Sequence, residues 1–222
     1  MRYSRQTPLL EKDSSKILKR ATVSVIGAGG VGCAILPLLV GAGIGNIRIC
    51  DGDCVSLSNL HRQTLYSEKD IGKNKALLAT AKLSSINSEI NIIAHSETLK
   101  TEDDVINFIS NSDLCIDATD SFSARKMISQ ACASAGIKDI ACAASGWIAQ
   151  LYLLDEKFKF SDIVSDTTDD IQHLPIFPPA AHLSGVWGAS MAIKILTNKE
   201  LFTSGFFQSY NLENDTFFKA NL

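Results

Sequence analysis

The 222-residue chain has no Cys-x-x-Cys pair, no cysteine beyond Cys142 and no long uninterrupted apolar run. Each absence excludes something. Cys33, Cys50, Cys54, Cys115, Cys132 and Cys142 show only one CxxxC spacing and no adjoining histidines, so no zinc site is expected from spacing. Most stand in apolar surroundings (RIC, LCIDA, IACAA) and read as small buried hydrophobes. The longest mainly apolar stretch, residues 31–44, is too short to span a bilayer and is interrupted by Pro37 and glycines. The first sixteen residues contain no apolar signal core, so a cytoplasmic protein without membrane attachment is the expectation. There is little charge of either sign in excess: 21 basic against 24 acidic residues, net −3, which argues against a nucleic-acid partner. No repeat or low-complexity segment is visible. With 45% hydrophobic and 20% charged residues, the composition suits a packed globular core rather than long disorder.

Strand-like and helix-like patterns alternate. Residues 21–27 read as a buried β-branched strand, 29–43 as a helix that Pro37 should kink or delay, and 46–53 as a second strand. Helix 74–87, strand 89–96, helix 101–110, strand 113–120, helix 123–136 and strand 138–145 follow. Helix 101–110 opens on a Thr cap and three acids that suit the helix dipole. This alternation predicts an α/β fold, a Rossmann-like doubly wound and mostly parallel sheet. After residue 145 the pattern changes to an extended segment at 146–160, an irregular loop at about 156–181, a helix at 182–198 and a hairpin at 205–220. The expected organisation is one domain, 1–222. It comprises an N-terminal arm or helix at 1–20, a nucleotide-binding core at 21–145 and a mixed antiparallel extension at 146–222.

Gly27, Gly29, Gly30 and Gly32 form G-x-G-G-x-G between the first strand and its helix, where phosphate can approach backbone N–H groups. Asp51 ends the second strand, 19 residues beyond Gly32, a position from which an acid reaches ribose hydroxyls. Up to this point the pattern would suit NAD. Asn59, Arg62 and Lys75 then add a polar and cationic cluster, and a triphosphate needs such extra cations. Asp120, at the carboxyl end of the fourth strand, is placed either to hold Mg²⁺ against phosphate or to cap the helix that follows.

These pieces together, with Tyr3-Ser4-Arg5-Gln6, Asp51-Gly52-Asp53, Leu57-Ser58-Asn59-Leu60-His61-Arg62-Gln63, Asp70-Ile71-Gly72-Lys73-Asn74-Lys75 and Asp117-Ala118-Thr119-Asp120, resemble the ThiF, MoeB and HesA adenylating family, relatives of the ubiquitin-activating enzymes. The resemblance covers nearly the whole chain. It implies an adenylyltransferase that uses ATP and Mg²⁺ to convert a carboxylate into an acyl-adenylate, releasing pyrophosphate. Carried over residue by residue, Asp51 holds the ribose with Asp53 in the same loop. Asn59, Arg62, Gln63 and Lys75 hold phosphates, Asp120 binds Mg²⁺, and Arg5 reaches the partner subunit's triphosphate, so a homodimer is implied.

The chain departs from that family in lacking its paired Cys-x-x-Cys motifs and any later cysteine, and in having Ser121 where the family often has Asn. The departures point to a branch that adenylates a small carboxylic acid, such as the guanylylpyridinol acid of iron-guanylylpyridinol cofactor biosynthesis. The alternative acceptor is the C-terminal glycine of a ubiquitin-like sulfur carrier. Trp147, His173, Phe177, His182 and Trp187 are candidates to line the substrate pocket. Asp162, Asp166, Asp169, Asp170 and His173 read as a solvated lid rather than a metal cluster, their spacing fitting no compact site. Two other classes are weighed: a non-catalytic nucleotide-binding subunit, against which Arg62, Lys75 and Asp120 count, and a dehydrogenase, for which no hydride-transfer site is evident.

Overall fold

A computed structural model describes residues 2–164, 175–198 and 205–221. Eight strands form one sheet: β1 (Thr22–Ile26), β2 (Asn46–Cys50), β3 (Asn91–His95), β4 (Leu114–Asp117), β5 (Asp139–Ser145), β6 (Ile148–Leu154), β7 (Phe206–Asn211) and β8 (Thr216–Asn221). Their order is β3-β2-β1-β4-β5-β6-β7-β8. The first five are parallel, and β6, β7 and β8 continue antiparallel. The order reverses between β1 and β4, which opens a crevice at their carboxyl ends. β1 is buried from Val23 onward and β4 along its whole length, as parallel strands covered on both faces require.

Helices α1 (Ser14–Arg20), α2 (Gly30–Ala42), α3 (Lys75–Ile86) and α7 (Pro178–Thr197) pack with one apolar core. Helices α4 (Glu102–Ile109) and α5 (Phe122–Ala135) close a second around Ile26 and Cys115, and the short α6 (Phe160–Ile163) caps a third with Tyr152. No helix among the described residues is long and apolar enough to cross a membrane.

Three expectations change. Of the kink or the delay expected from Pro37, the delay does not occur: α2 runs from Gly30 to Ala42 through it. Ile35, Leu36, Leu39 and Val40 are all fully buried, and burying four such side chains outweighs the ~3 kcal/mol that an internal proline costs. The loop expected at about 156–181 is shorter at both ends. Phe160–Ile163 is helical, and α7 opens at Pro178 rather than His182, because proline at the first helical position loses only an N–H with no helical partner. The extended segment expected over 146–160 is strand only from Ile148 to Leu154. The tail is the expected hairpin. Five of the six cysteines are buried and only Cys54 is exposed; burial pushes the Cys33 and Cys50 thiols up to about 12, so they stay neutral.

Helix α7 lies on α2 at Gly185, where an added methyl would meet Ala34 Cβ at 2.6 Å and the Val31 carbonyl oxygen at 2.7 Å. Gly185→Ala should therefore force the helices apart at a cost of about 1–3 kcal/mol. At roughly 2–4 °C per kcal/mol, a calorimetric Tm unchanged from the parent would show that the crossing is not close-packed there.

Candidate active site

The crevice is a cleft of about 1150 Å³ at the carboxyl ends of β1, β2, β4 and β5. Its glycines divide into two kinds. Gly27 has φ +101°, and a methyl on it would meet the Ala118 carbonyl oxygen at 2.6 Å; one on Gly32 would meet the Gly27 carbonyl oxygen at 2.2 Å. These two permit the turn and the close packing of helix on strand. Gly29 and Gly30 face the cleft: a methyl on Gly29 would find only Gln63 Nε2, at 3.6 Å, and one on Gly30 would press on the Arg62 methylenes at 3.1 Å. The N-terminus of α2 at Gly30 thus meets the cleft with open backbone, a setting suited to an anion.

Asp51 joins the turn to the loop after β2. Its Oδ2 accepts the Ala28 N–H at 2.7 Å and its Oδ1 the Asp53 N–H at 2.9 Å. Burial pushes its carboxyl up, while the charge of Lys75 and the two N–H donors oppose that shift. Two backbone bonds leave the carboxylate further lone pairs to receive hydroxyls. The Tyr66 hydroxyl donates to the Ala28 carbonyl oxygen at 2.9 Å, fixing the other side of the turn.

Lys75 opens α3 behind Asn74, whose side chain caps the Leu77 N–H. The lysine side chain is only 7% exposed, and its ammonium group pairs with exposed Asp53 at 2.9 Å. Arg62 is half-buried; its Nη1 lies 3.3 Å from the Ser58 carbonyl oxygen and 2.8 Å from His61 Nε2. Asn59 caps the Ser56 N–H through its Oδ1, keeping its amide NH₂ as a donor. Gln63 is buried, and its Oε1 has no partner among the described residues. Ser121, not Asp120, caps α5 by accepting the Ala124 N–H, so the cap reading of Asp120 is replaced. Asp120 is exposed and lines the cleft.

Gly27, Gly29, Gly30, Asp51, Asp53, Asn59, Arg62, Gln63, Lys75 and Asp120 thus share one cleft. The other expected residues lie apart. Arg5 is exposed on the N-terminal arm, outside the cleft lining. Trp147 packs on Phe177 with ring centroids 4.0 Å apart, and Trp187 meets Phe217 edge-on at 6.1 Å. His182 Nε2 lies 3.0 Å from the Arg62 carbonyl oxygen. Asp166, Asp169, Asp170 and His173 fall outside the described residues.

Arg125 is a cleft residue that sequence reasoning missed. Its guanidinium is buried, donates through Nη2 to the Thr119 and Cys142 carbonyl oxygens, and lies 3.7 Å from Asp117. The signal was available: Arg125 stands three and seven residues before Ile128 and Cys132, on the buried face of α5. Ser145, Gln150, Tyr152, Pro175 and Ile176 form the far wall.

The ThiF family profile matches residues 3–222. A sulfur carrier protein adenylyltransferase of Thermus thermophilus is 39% identical over 132 residues, covering 59% of this chain and 48% of its own length. A sulfur carrier protein ThiS adenylyltransferase of Bacillus subtilis is 32% identical over 214 residues, covering 90% of this chain and 62% of its own. The chain therefore spans about half to three-fifths of these relatives. Among solved structures, E. coli MccB with ATP superposes at a TM-score of 0.84, with 23% identity, covering 100% of this chain and 70% of that one. That likeness establishes the fold.

The two kinds of glycine should separate on substitution. Gly32→Ala is expected to lower the Tm by several degrees, because backbone must move, while Gly29→Ala leaves it within about 1 °C. Equal melting temperatures for the two variants would contradict the division.

Proposed function

The chain belongs to the ThiF family, and from that premise we propose that it is an ATP-dependent adenylyltransferase. It activates a carboxylate as an acyl-adenylate. The observation that carries this reading is the single cleft in which an open glycine turn, the Asp51 carboxylate, the Arg62 and Lys75 cations and Asp120 line one space. A cleft built for NAD alone needs the turn and the acid but not the two cations beside an exposed carboxylate.

In this reading Asp51 receives the ribose hydroxyls. The Gly29–Gly30 backbone, Asn59, Arg62, Gln63 and Lys75 hold the phosphates, Lys75 exchanging its Asp53 partner for phosphate oxygen. The substrate carboxylate is already ionised at neutral pH and needs no general base. One of its oxygens attacks the α-phosphorus while the bond to the pyrophosphate oxygen breaks. Positioning and charge stabilisation then supply the catalysis. Asp120, an exposed carboxylate with no hydrogen bond among the described residues, fits a Mg²⁺ ligand, and Mg²⁺ there supplies neutralisation of phosphate charge. Arg5 acts across a homodimer in this reading, which agrees with its exposure and its place outside the cleft of its own chain. The enzyme is read as cytoplasmic.

The names of the Thermus and Bacillus relatives support the C-terminal glycine of a ubiquitin-like sulfur carrier as the carboxylate. A second reading is a small acid such as the guanylylpyridinol acid, supported by the lack of any cysteine among residues 143–222. ATP–pyrophosphate exchange that depends on a Gly-Gly-ended carrier selects the first. Exchange with the small acid alone, with its acyl-adenylate seen by mass spectrometry, selects the second.

Arg62→Ala and Asp120→Ala are each expected to slow exchange by roughly 10²–10³. ATP should raise the Tm of the parent protein and NAD should not. Near-parental exchange in Arg62→Ala, or stabilisation by NAD in place of ATP, would defeat the proposal.

A further inference from the structure

Beneath α5, away from the phosphate cations, Cys115, Cys132 and Asp139 converge. Cys115 and Asp139 are direct partners across the parallel β4–β5 pair, so their side chains leave the sheet on one face. Cys132 descends onto that face from the buried side of α5. All three are fully buried, and their sulfur and oxygen atoms lie within 4.8 Å of one another. Three atoms so placed surround a point within about 2.8 Å of each, and modest tightening brings that near the ~2.3 Å of a zinc–thiolate bond.

Asp139 is the unexplained group. Neither of its carboxylate oxygens has a hydrogen-bond partner of normal geometry among the described residues. The nearby cation, Arg125, spends Nη2 on two carbonyl oxygens and sets Nε beside Asp117; its charge acts on Asp139, but its unpartnered Nη1 makes no hydrogen bond to that carboxylate. The Asp117 N–H and the Arg125 charge act on this carboxylate without closing a hydrogen bond of normal geometry, so beside two thiols it still lacks the full partner set that buried polar groups ordinarily have.

We infer that Cys115, Cys132 and Asp139 form a binding site for one thiophilic divalent cation of the zinc class, tying β4, α5 and β5 together behind the cleft. Binding releases to solvent the protons of the two thiols and the one that burial favours on the Asp139 carboxyl, and the cation bonds to both thiolates and to one Asp139 oxygen. Two sulfur ligands select against Mg²⁺, so the site is separate from any Mg²⁺ at Asp120. It does not depend on the adenylation reading. The 115, 132 and 139 spacing matches no paired-cysteine motif, because strand pairing and helix packing assemble the ligands.

The test uses full-length protein produced in medium supplemented with Zn²⁺ or Co²⁺, analysed for metal content and for a sulfur-to-cobalt charge-transfer band. About one equivalent per chain and a thiolate band are expected. Cys54→Ser, at the exposed cysteine, should keep both. Cys115→Ser/Cys132→Ser should lose the band, and Asp139→Asn, which keeps side-chain size, should lower metal retention against a chelator at least ~10-fold. Circular dichroism establishes which variants fold, and Asp139→Asn alone suffices if the cysteine variants do not. Parent protein free of metal from both media overturns the site. So does a band that survives loss of Cys115 and Cys132, or metal retention unchanged in Asp139→Asn.

Discussion

The Asp51 carboxylate holds two backbones at once, the turn after β1 through Ala28 and the loop after β2 through Asp53. The cleft depends on that pair of hydrogen bonds. The turn can lie against β4 only because Gly27 and Gly32 have no side chains, and it stays there because Asp51 and Tyr66 grip Ala28 from its two polar ends. With Ala28 fixed, Gly29 and Gly30 present open backbone, and the α2 N-terminus has a defined direction. Lys75 is placed by the same loop: its N–H donates to the Asp53 carbonyl oxygen and its ammonium group meets the Asp53 carboxylate. A lysine this buried needs a counter-charge. Asp53 supplies one from the exposed side, where an incoming anion can replace it.

What was legible in the sequence was what is decided locally. The glycine turn, Asp51 and the α/β alternation each follow from backbone sterics or residue period within a few positions. The hairpin at the tail follows from two aromatic runs flanking a polar turn. The start of α7 is hidden because the prolines at 178 and 179 resemble loop punctuation, while the first turn of a helix accepts them. The early start of α2 ahead of Pro37 is hidden for the opposite reason: a local cost is offset by tertiary burial that no local pattern displays. Arg125 and the Cys115, Cys132 and Asp139 group stayed hidden because their meaning comes from strand order and from which helix covers which face. An expected contact from Arg5 belongs to a second chain, so it is read from the family and not from this fold.

The far wall of the cleft is joined to the side lined by Gly30 and Arg62 by a short chain of contacts. Gly146, with φ +54°, turns β5 into β6; its N–H donates to the Pro175 carbonyl oxygen, and its carbonyl oxygen accepts the Phe177 N–H. Residues 175–177 are thereby laid along the cleft as an extra edge, held further by the Trp147–Phe177 ring contact. Helix α7 starts at the next residue and carries Ala181, 3.4 Å from where a Gly30 side chain would begin, and His182, on the Arg62 carbonyl. The edge formed by residues 175–177 is thus continuous with a helix that touches both Gly30 and the backbone of Arg62. Trp147, Phe177 and His182 stand outside the cleft lining, the first two as a ring pair beside residues 175–177 and the third on the Arg62 carbonyl.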